Sequence, residues 1–240
     1  MTPLIQLHEV TKTYRTGDEV LTVLNNVSIA IEAGDFVAVV GPSGSGKTTL
    51  ADVIGGLDGI DSGTVSVDGI DLGGAGDRAL SRYRNGHIGF VFQSFNLQGS
   101  YTALENVMLP LVIGGMSTRE RRARAQECLN LVGLADRMRH RPAQLSGGQL
   151  QRVAIARALA PKPSIIIADE PTGNLDSARG AEIMALLREL NASQGITLIV
   201  VTHDPNIARQ AATVLEIQDG VVHQTHRPSG QAAPMAATVA

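Results

Sequence analysis

Apolar and polar positions alternate along residues 4–10 and again along 20–31. That two-residue period predicts half-buried strands, with Leu21 to Ile31 reading as strand, turn, strand: an antiparallel β layer. Residues 32–35 predict a turn. The pattern then changes. Phe36 to Val40 is unbroken apolar, and Ile88–Phe92, Ser164–Ala168 and Thr197–Val201 are similar short runs. Such runs predict strands buried on both faces of a parallel sheet. Helices are predicted from about Lys47 to Gly55, over 77–85 and over 178–193. A short strand with a turn is predicted at 63–70. Residues 213–217 and 221–224 flank Asp219-Gly220, a hairpin signal.

Between 94 and 153 the strand character disappears. Ala125, Cys128, Leu129 and Val132 fall at helical spacing, after Arg119, Arg121, Arg122 and Arg124, which read as a solvated helix face. The expected architecture is α/β: a parallel-sheet core (1–93 and 154–226), an N-terminal antiparallel layer and an inserted helical subdomain (94–153). Residues 1–226 then form one domain. The Pro-, Ser-, Gly- and Ala-rich stretch 227–240 is expected to be a disordered tail.

Composition agrees with this. Aromatic residues make up 3% of the 240, with no Trp, so the core rests on aliphatic side chains. The net charge of −3 gives no broad basic footprint, so nucleic acid is not an expected partner. The one cysteine, Cys128, reads as a small buried hydrophobe rather than a nucleophile. The opening residues show no basic segment followed by an apolar one, so no signal peptide is expected. No apolar run approaches the length of a membrane span, so any membrane role is expected to come through a partner.

The chemistry begins at Gly41-Pro42-Ser43-Gly44-Ser45-Gly46-Lys47-Thr48, a P-loop pattern between an apolar strand and a helix. Glycines let consecutive N–H groups turn inward toward phosphate oxygens, and the helix adds its positive N-terminal end. Lys47 is expected to reach the β- and γ-phosphates of ATP, and the Thr48 hydroxyl to ligate Mg²⁺. Asp169-Glu170 ends the apolar run at 164–168. Asp169 is placed to serve the Mg²⁺, and Glu170 to polarise the attacking water.

Leu145-Ser146-Gly147-Gly148-Gln149 resembles the signature of the ABC ATPases, and the resemblance covers about residues 4 to 224. The other parts follow in that family's order. Tyr14 resembles its adenine-stacking aromatic, and Gln93 its Q-loop glutamine, which joins catalysis and the metal. A helix with Gln151, Arg152 and Arg157 follows the signature. Asn174-Leu175-Asp176 resembles the D-loop and His203 the switch histidine. The resemblance implies a RecA-like P-loop fold and a homodimer closed around two ATPs. One chain's P-loop (Gly41, Ser43–Thr49) would then hold a nucleotide that the other chain covers with Ser146, Gly147, Gly148, Gln149 and Asp176. His203 is expected to contact the γ-phosphate and hold Glu170 and water in place.

Strings around Gly89–Leu97, Thr102–Val107 and Ala168–Asp176 are similar to the lipoprotein-releasing and macrolide-exporter ATPases. This group implies a permease with few membrane helices and a large extracytoplasmic domain, driven mechanically from the cytoplasmic side of the inner membrane. A classical importer ATPase and a cell-division-type ATPase governing cell-wall hydrolysis remain as alternatives. Chromosome-organising ABC ATPases need a long heptad coiled coil between P-loop and signature, and none is present. The loop Ser94–Tyr101, with Phe95 and Leu97 as exposed apolar anchors, is the expected permease contact. Thr48-Thr49 stands where Ser-Thr is common. Ala51-Asp52 replaces a more apolar pair, and no catalytic role is expected for it. The substrate and its direction of movement are not encoded in these motifs.

Overall fold

The computed structural model describes residues 2–17 and 19–226. The expected disordered tail, 227–240, lies outside the described residues. Two sheets organise the chain. The first is antiparallel, in the order β2 (Glu19–Ile31), β1 (Ile5–Thr16), β4 (Ser62–Val67), β5 (Ile70–Asp71). The expected turn inside Leu21–Ile31 is not there. β2 runs on as one strand, and Asn26 at φ 51° lies where the pairing with β1 slips between Val10↔Val27 and Lys12↔Leu24. The two asparagines mark a bulge rather than a reversal.

The second sheet has the order β10 (Val221–His226), β9 (Thr213–Gln218), β3 (Phe36–Val40), β8 (Thr197–Val201), β7 (Ile165–Asp169), β6 (Ile88–Phe92). Five of its strands, β9 to β6 in that order, are parallel, and β10 closes one edge as the antiparallel half of the expected hairpin. β8 separates β3 from β7, so the P-loop strand and the acidic strand are not direct neighbours. Their C-terminal ends nevertheless share one edge, the usual ligand edge of an open parallel sheet.

Both faces of this sheet are covered. Val37, Val39, Ile165, Ile167, Ile199 and Val201 face a core shared with the antiparallel sheet and α1 (Lys47–Ile54). The alternate positions, Ala38, Val91, Ile166, Ala168, Leu198 and Val200, face the helices. Those are α5 (Gly147–Leu159), α6 (Ser177–Gln194) and α7 (Pro205–Gln210), with α3 (Ala103–Ile113) and α4 (Thr118–Leu131) beyond; α2 (Asp77–His87) leads into β6. The helical segment does not own a separate core. Leu104, Val107, Leu111, Cys128 and Leu129 join Val153 and Ile155 in one continuous cluster with the sheet. α5 runs across the expected 153/154 boundary and packs on both α3 and β6.

Cys128 is fully buried, and burial pushes its thiol up to about 11, so it stays protonated and acts as a hydrophobe. Capping boxes start α3 (Thr102/Glu105), α4 (Ser117/Glu120) and α5 (Ser146/Gln149). The arginine run is not uniformly solvated. Arg119 and Arg122 are exposed, but Arg124 turns inward and donates to the carbonyls of Leu159 and Ala160, closing the C-terminal end of α5.

Candidate nucleotide site

The P-loop leaves β3 and enters α1 through two glycines that no other residue replaces easily. Gly41 has φ 151°, and a Cβ there would lie 2.2 Å from the carbonyl oxygen of Ile217. Gly46, the left-handed N-cap of α1, has φ 106°, and its Cβ would lie 2.6 Å from the carbonyl oxygen of Val23. At Gly44, by contrast, a Cβ would meet nothing within 4 Å, so the loop opens to solvent there. Lys47 Nζ donates to the carbonyls of Gly41 (2.9 Å) and Pro42 (2.7 Å), which holds the ammonium over the loop. Ser45 Oγ is buried without a hydrogen-bond partner. An orphaned hydroxyl and a cation inside a glycine cradle suit a phosphate chain. Ser43 and Thr48 are exposed, and Thr49 is half-buried.

Across the same edge, β7 ends at Asp169. Glu170 follows with φ 46°, a left-handed conformation for a non-glycine residue, and its N–H donates to the Val201 carbonyl (3.0 Å). Such strain at a carboxylate next to a P-loop is the kind that functional sites retain. Burial, and then the neighbouring Glu170 charge, lifts the Asp169 carboxyl above its usual range, while Lys47 opposes the lift. His203, after β8, places Nδ1 2.9 Å from Glu170 Oε1. This hydrogen bond and the glutamate charge raise the imidazole above its ordinary value.

Gln93, just past β6, reaches the same corner. Its side-chain nitrogen lies 2.7 Å from where a Cβ on Gly173 would sit, and its carbonyl accepts from Asn174 Nδ2 (2.9 Å). Gly173 N–H in turn donates to the Glu170 carbonyl (3.0 Å). Among the described residues no group of three or more His, Cys, Asp or Glu side chains is arranged to hold a metal. Thr48, Gln93 and Asp169 offer a hydroxyl, an amide and one carboxylate, an oxygen set that suits Mg²⁺ when phosphate oxygens complete it.

Tyr14 lies on β1 with its ring 38% exposed. Asp176 is the N-cap of α6, its Oδ1 accepting from Arg179 N–H at 3.0 Å. The signature opens α5. Ser146 caps it, and Gln149 Oε1 accepts from Ser146 N–H (2.9 Å), so the Gln149 side chain folds back on its own helix. Gly147 lies against Leu175 and Gly148 against Arg179. Among the described residues, no hydrogen bond joins 145–149 to 41–49. The P-loop and the helix start at Ser146 are thus two separate features of one chain.

Two residues gain a structural setting that the motifs do not give. The fully buried Gln151 donates from Nε2 to the carbonyls of Pro171 (2.9 Å) and Phe92 (3.4 Å), tying α5 to the strand ends that carry Glu170 and Gln93. No catalytic role is expected for Asp52, and its setting is electrostatic. Burial, and then repulsion from Asp169 and Asp58, raises its carboxyl, so it belongs to the electrostatic surroundings of Asp169. Only the fold brings α1's second turn toward β7. Phe95 and Leu97 are not exposed anchors either. Both are half-buried, and Leu97 packs against the helical core. The exposed apolar residues of this region are Tyr101, Val112, Ile113 and Met116.

A strand–P-loop–helix unit, a strand-end acidic pair and a facing histidine on one sheet edge define a P-loop nucleoside triphosphatase. Comparison with known proteins narrows that class. Residues 24–173 match the ABC transporter family, and the chain belongs to it: it is an ATP-binding cassette ATPase. An uncharacterized ABC transporter ATP-binding protein of Methanocaldococcus jannaschii, MJ0796, is 51% identical over 95% of this chain and 98% of its own length. The macrolide export ATP-binding/permease protein MacB of Escherichia coli K12 is 49% identical over 92% of this chain, which spans only 34% of that protein. A dimeric post-hydrolysis structure of MJ0796 bound to ADP and Pi superimposes with a TM-score of 0.84 at 49% identity, over 92% of this chain and 98% of that one.

Proposed function

We propose that this chain is the ATP-hydrolysing subunit of a transporter of the lipoprotein-releasing or macrolide-export type, working as a head-to-tail homodimer beneath a separate permease. The observation that carries the reading is the separation of the two anion sites. The P-loop edge holds Lys47, Asp169, Glu170 and His203, while among the described residues no hydrogen bond ties the helix start at Ser146–Gln149 to the P-loop. A second copy related by a two-fold axis completes both sites at once. Relatives point the same way: MJ0796 forms a dimer, and MacB joins an ATP-binding part to a permease in one protein.

In this reading the P-loop binds the triphosphate and Lys47 moves from the loop carbonyls to the β- and γ-phosphates. Tyr14 carries the adenine. Mg²⁺ held by Thr48, Asp169 and Gln93 supplies the charge that offsets the phosphates. Glu170 accepts a proton from the attacking water, and His203 holds Glu170 while donating toward the γ-phosphate. The partner's Ser146–Gln149 segment and Asp176 close the site. Loss of the γ-phosphate removes a contact shared by both chains, so the dimer opens.

The permease is placed at a groove of about 440 Å³ lined by Asn85, Phe90, Phe92, Asn96, Ile113 and Arg157. It lies beside the loop that follows Gln93, so it touches the nucleotide site through the chain itself. No helix among the described residues is long and apolar enough to cross a membrane. The test is to extract Glu170→Gln protein from membranes in mild detergent with ATP and Mg²⁺, and identify what accompanies it. A permease with few helices and a large extracytoplasmic domain is expected. A many-helix permease with a solute-binding protein would keep the ATPase and overturn the subfamily.

A further inference from the structure

Tyr14 is held more firmly than a stacking ring requires. Its hydroxyl donates to Asp58 Oδ2 at 2.6 Å and also meets the Thr49 side chain. Lys12 Nζ sits 5.1 Å from the ring centroid and pairs with Asp58 Oδ1 at 2.7 Å, with only 12% of the lysine side chain exposed. Gly59 N–H gives Asp58 Oδ1 a further donor at 2.7 Å. Burial alone would lift the Asp58 carboxyl, but the bonds from Lys12, Tyr14 and Gly59 outweigh it and hold it below the usual range. The neighbouring strand residue is fixed as well: Thr13 donates to Asp61 from its N–H (2.6 Å) and its hydroxyl (2.7 Å).

These contacts span the P-loop helix. Thr49 lies in its first turn, and the Asp58 N–H reaches back to the carbonyl of Asp52 in its second, at 3.3 Å. The phenol edge and one ring face are thus committed, and the remaining exposure is left for a base. An unrestrained tyrosine on a strand loses rotamer freedom whenever it stacks; a ring fixed in advance has already lost it.

We infer that Asp58 and Lys12 are positioning residues that lock the Tyr14 ring to the P-loop helix, so that the chain prefers a triphosphate carrying a purine base over a bare phosphate chain. This rests on the reading of Tyr14 as the adenine platform. Stacking alone needs the ring and not the hydroxyl; the lock needs the hydroxyl and its carboxylate.

The experiment measures dissociation constants of the full chain for ATP and for inorganic tripolyphosphate, both with Mg²⁺. Tyr14→Ala, Tyr14→Phe, Asp58→Ala and the Tyr14→Phe/Asp58→Ala double variant are compared with wild type. Tyr14→Phe and Asp58→Ala are each expected to lower the preference for ATP about five- to tenfold, leaving tripolyphosphate unaffected, because each removes a charge-assisted hydrogen bond. The double variant is expected to fall no further than Asp58→Ala, since the bond that Tyr14→Phe removes is one that Asp58→Ala already breaks. If Tyr14→Ala alone lowers the preference, the lock is overturned while the adenine platform stands. If Tyr14→Ala changes nothing, the platform itself fails. Loss of both ligands together in Asp58→Ala would show a general structural role and count against the lock. If Asp58→Ala does not fold, Tyr14→Phe decides alone.

Discussion

His203 Nδ1 lies 2.9 Å from Glu170 Oε1, a direct link between the segment after β8 and the carboxylate after β7. The partner raises the imidazole above 6.5, so the ion pair is complete below the ordinary histidine range and is lost as pH rises through the raised value. The histidine side chain is 79% exposed, so the pair orients the glutamate and adds little to stability. Imidazole NMR titration of the nucleotide-free chain is expected to give a midpoint above 6.5 that drops in Glu170→Gln. A midpoint indifferent to that substitution would mean the two groups do not meet in solution. The P-loop, the acidic pair and this histidine were all legible in the sequence, because each is a short string whose chemistry depends on local order. The settings of Asp52 and of Gln151, which the sequence placed only on the helix after the signature, were not. Their importance comes from what the fold sets beside them, Asp169 for one and Pro171 with Phe92 for the other.

Among the elements, α5 joins the most parts of the site. It begins as the signature, sends Gln151 to both catalytic strand ends, and fixes the loop after Gln93 with Arg157. That guanidinium donates to the carbonyls of Phe95 (2.9 Å) and Asn96, two consecutive residues with left-handed φ of 60° and 49°. Burial presses the Arg157 guanidinium below its usual range, so the cation stays in a costly place to hold this loop. Arg157→Ala is expected to cost about 1–3 kcal/mol in urea unfolding, the usual penalty for leaving buried polar groups unpaired. It should also raise hydrogen exchange at residues 93–97 while ATP binding persists. Unchanged exchange there would show that the loop holds itself. Period-two and unbroken apolar runs placed every strand of the parallel sheet to within a residue or two. They misread Asn25-Asn26, because a bulge and a turn use the same residue types, and only pairing with β1 distinguishes them. They also misplaced Phe95 and Leu97, since the tether that turns this loop inward comes from Arg157, far along the chain.

For the whole molecule, the two sheets and the helical layer set the P-loop at the end of β3 and the Ser146–Gln149 segment at the start of α5, with no hydrogen bond between them among the described residues. Neither site closes alone: the P-loop side lacks a cover, and the Ser146 side lacks a base, a metal set and a nucleophile-activating carboxylate. In the proposed head-to-tail reading, two-fold pairing supplies both deficits and makes the γ-phosphate the contact on which the dimer depends. Removing the Glu170 carboxylate charge should leave binding intact and stop the step that opens the dimer. The measurement is the molar mass of purified Glu170→Gln chain by light scattering on a sizing column, with nucleotide occupancy determined on the same peak. Dimers with ATP and Mg²⁺, and monomers with ADP, are the predicted result. Monomers that still carry ATP would contradict the head-to-tail account.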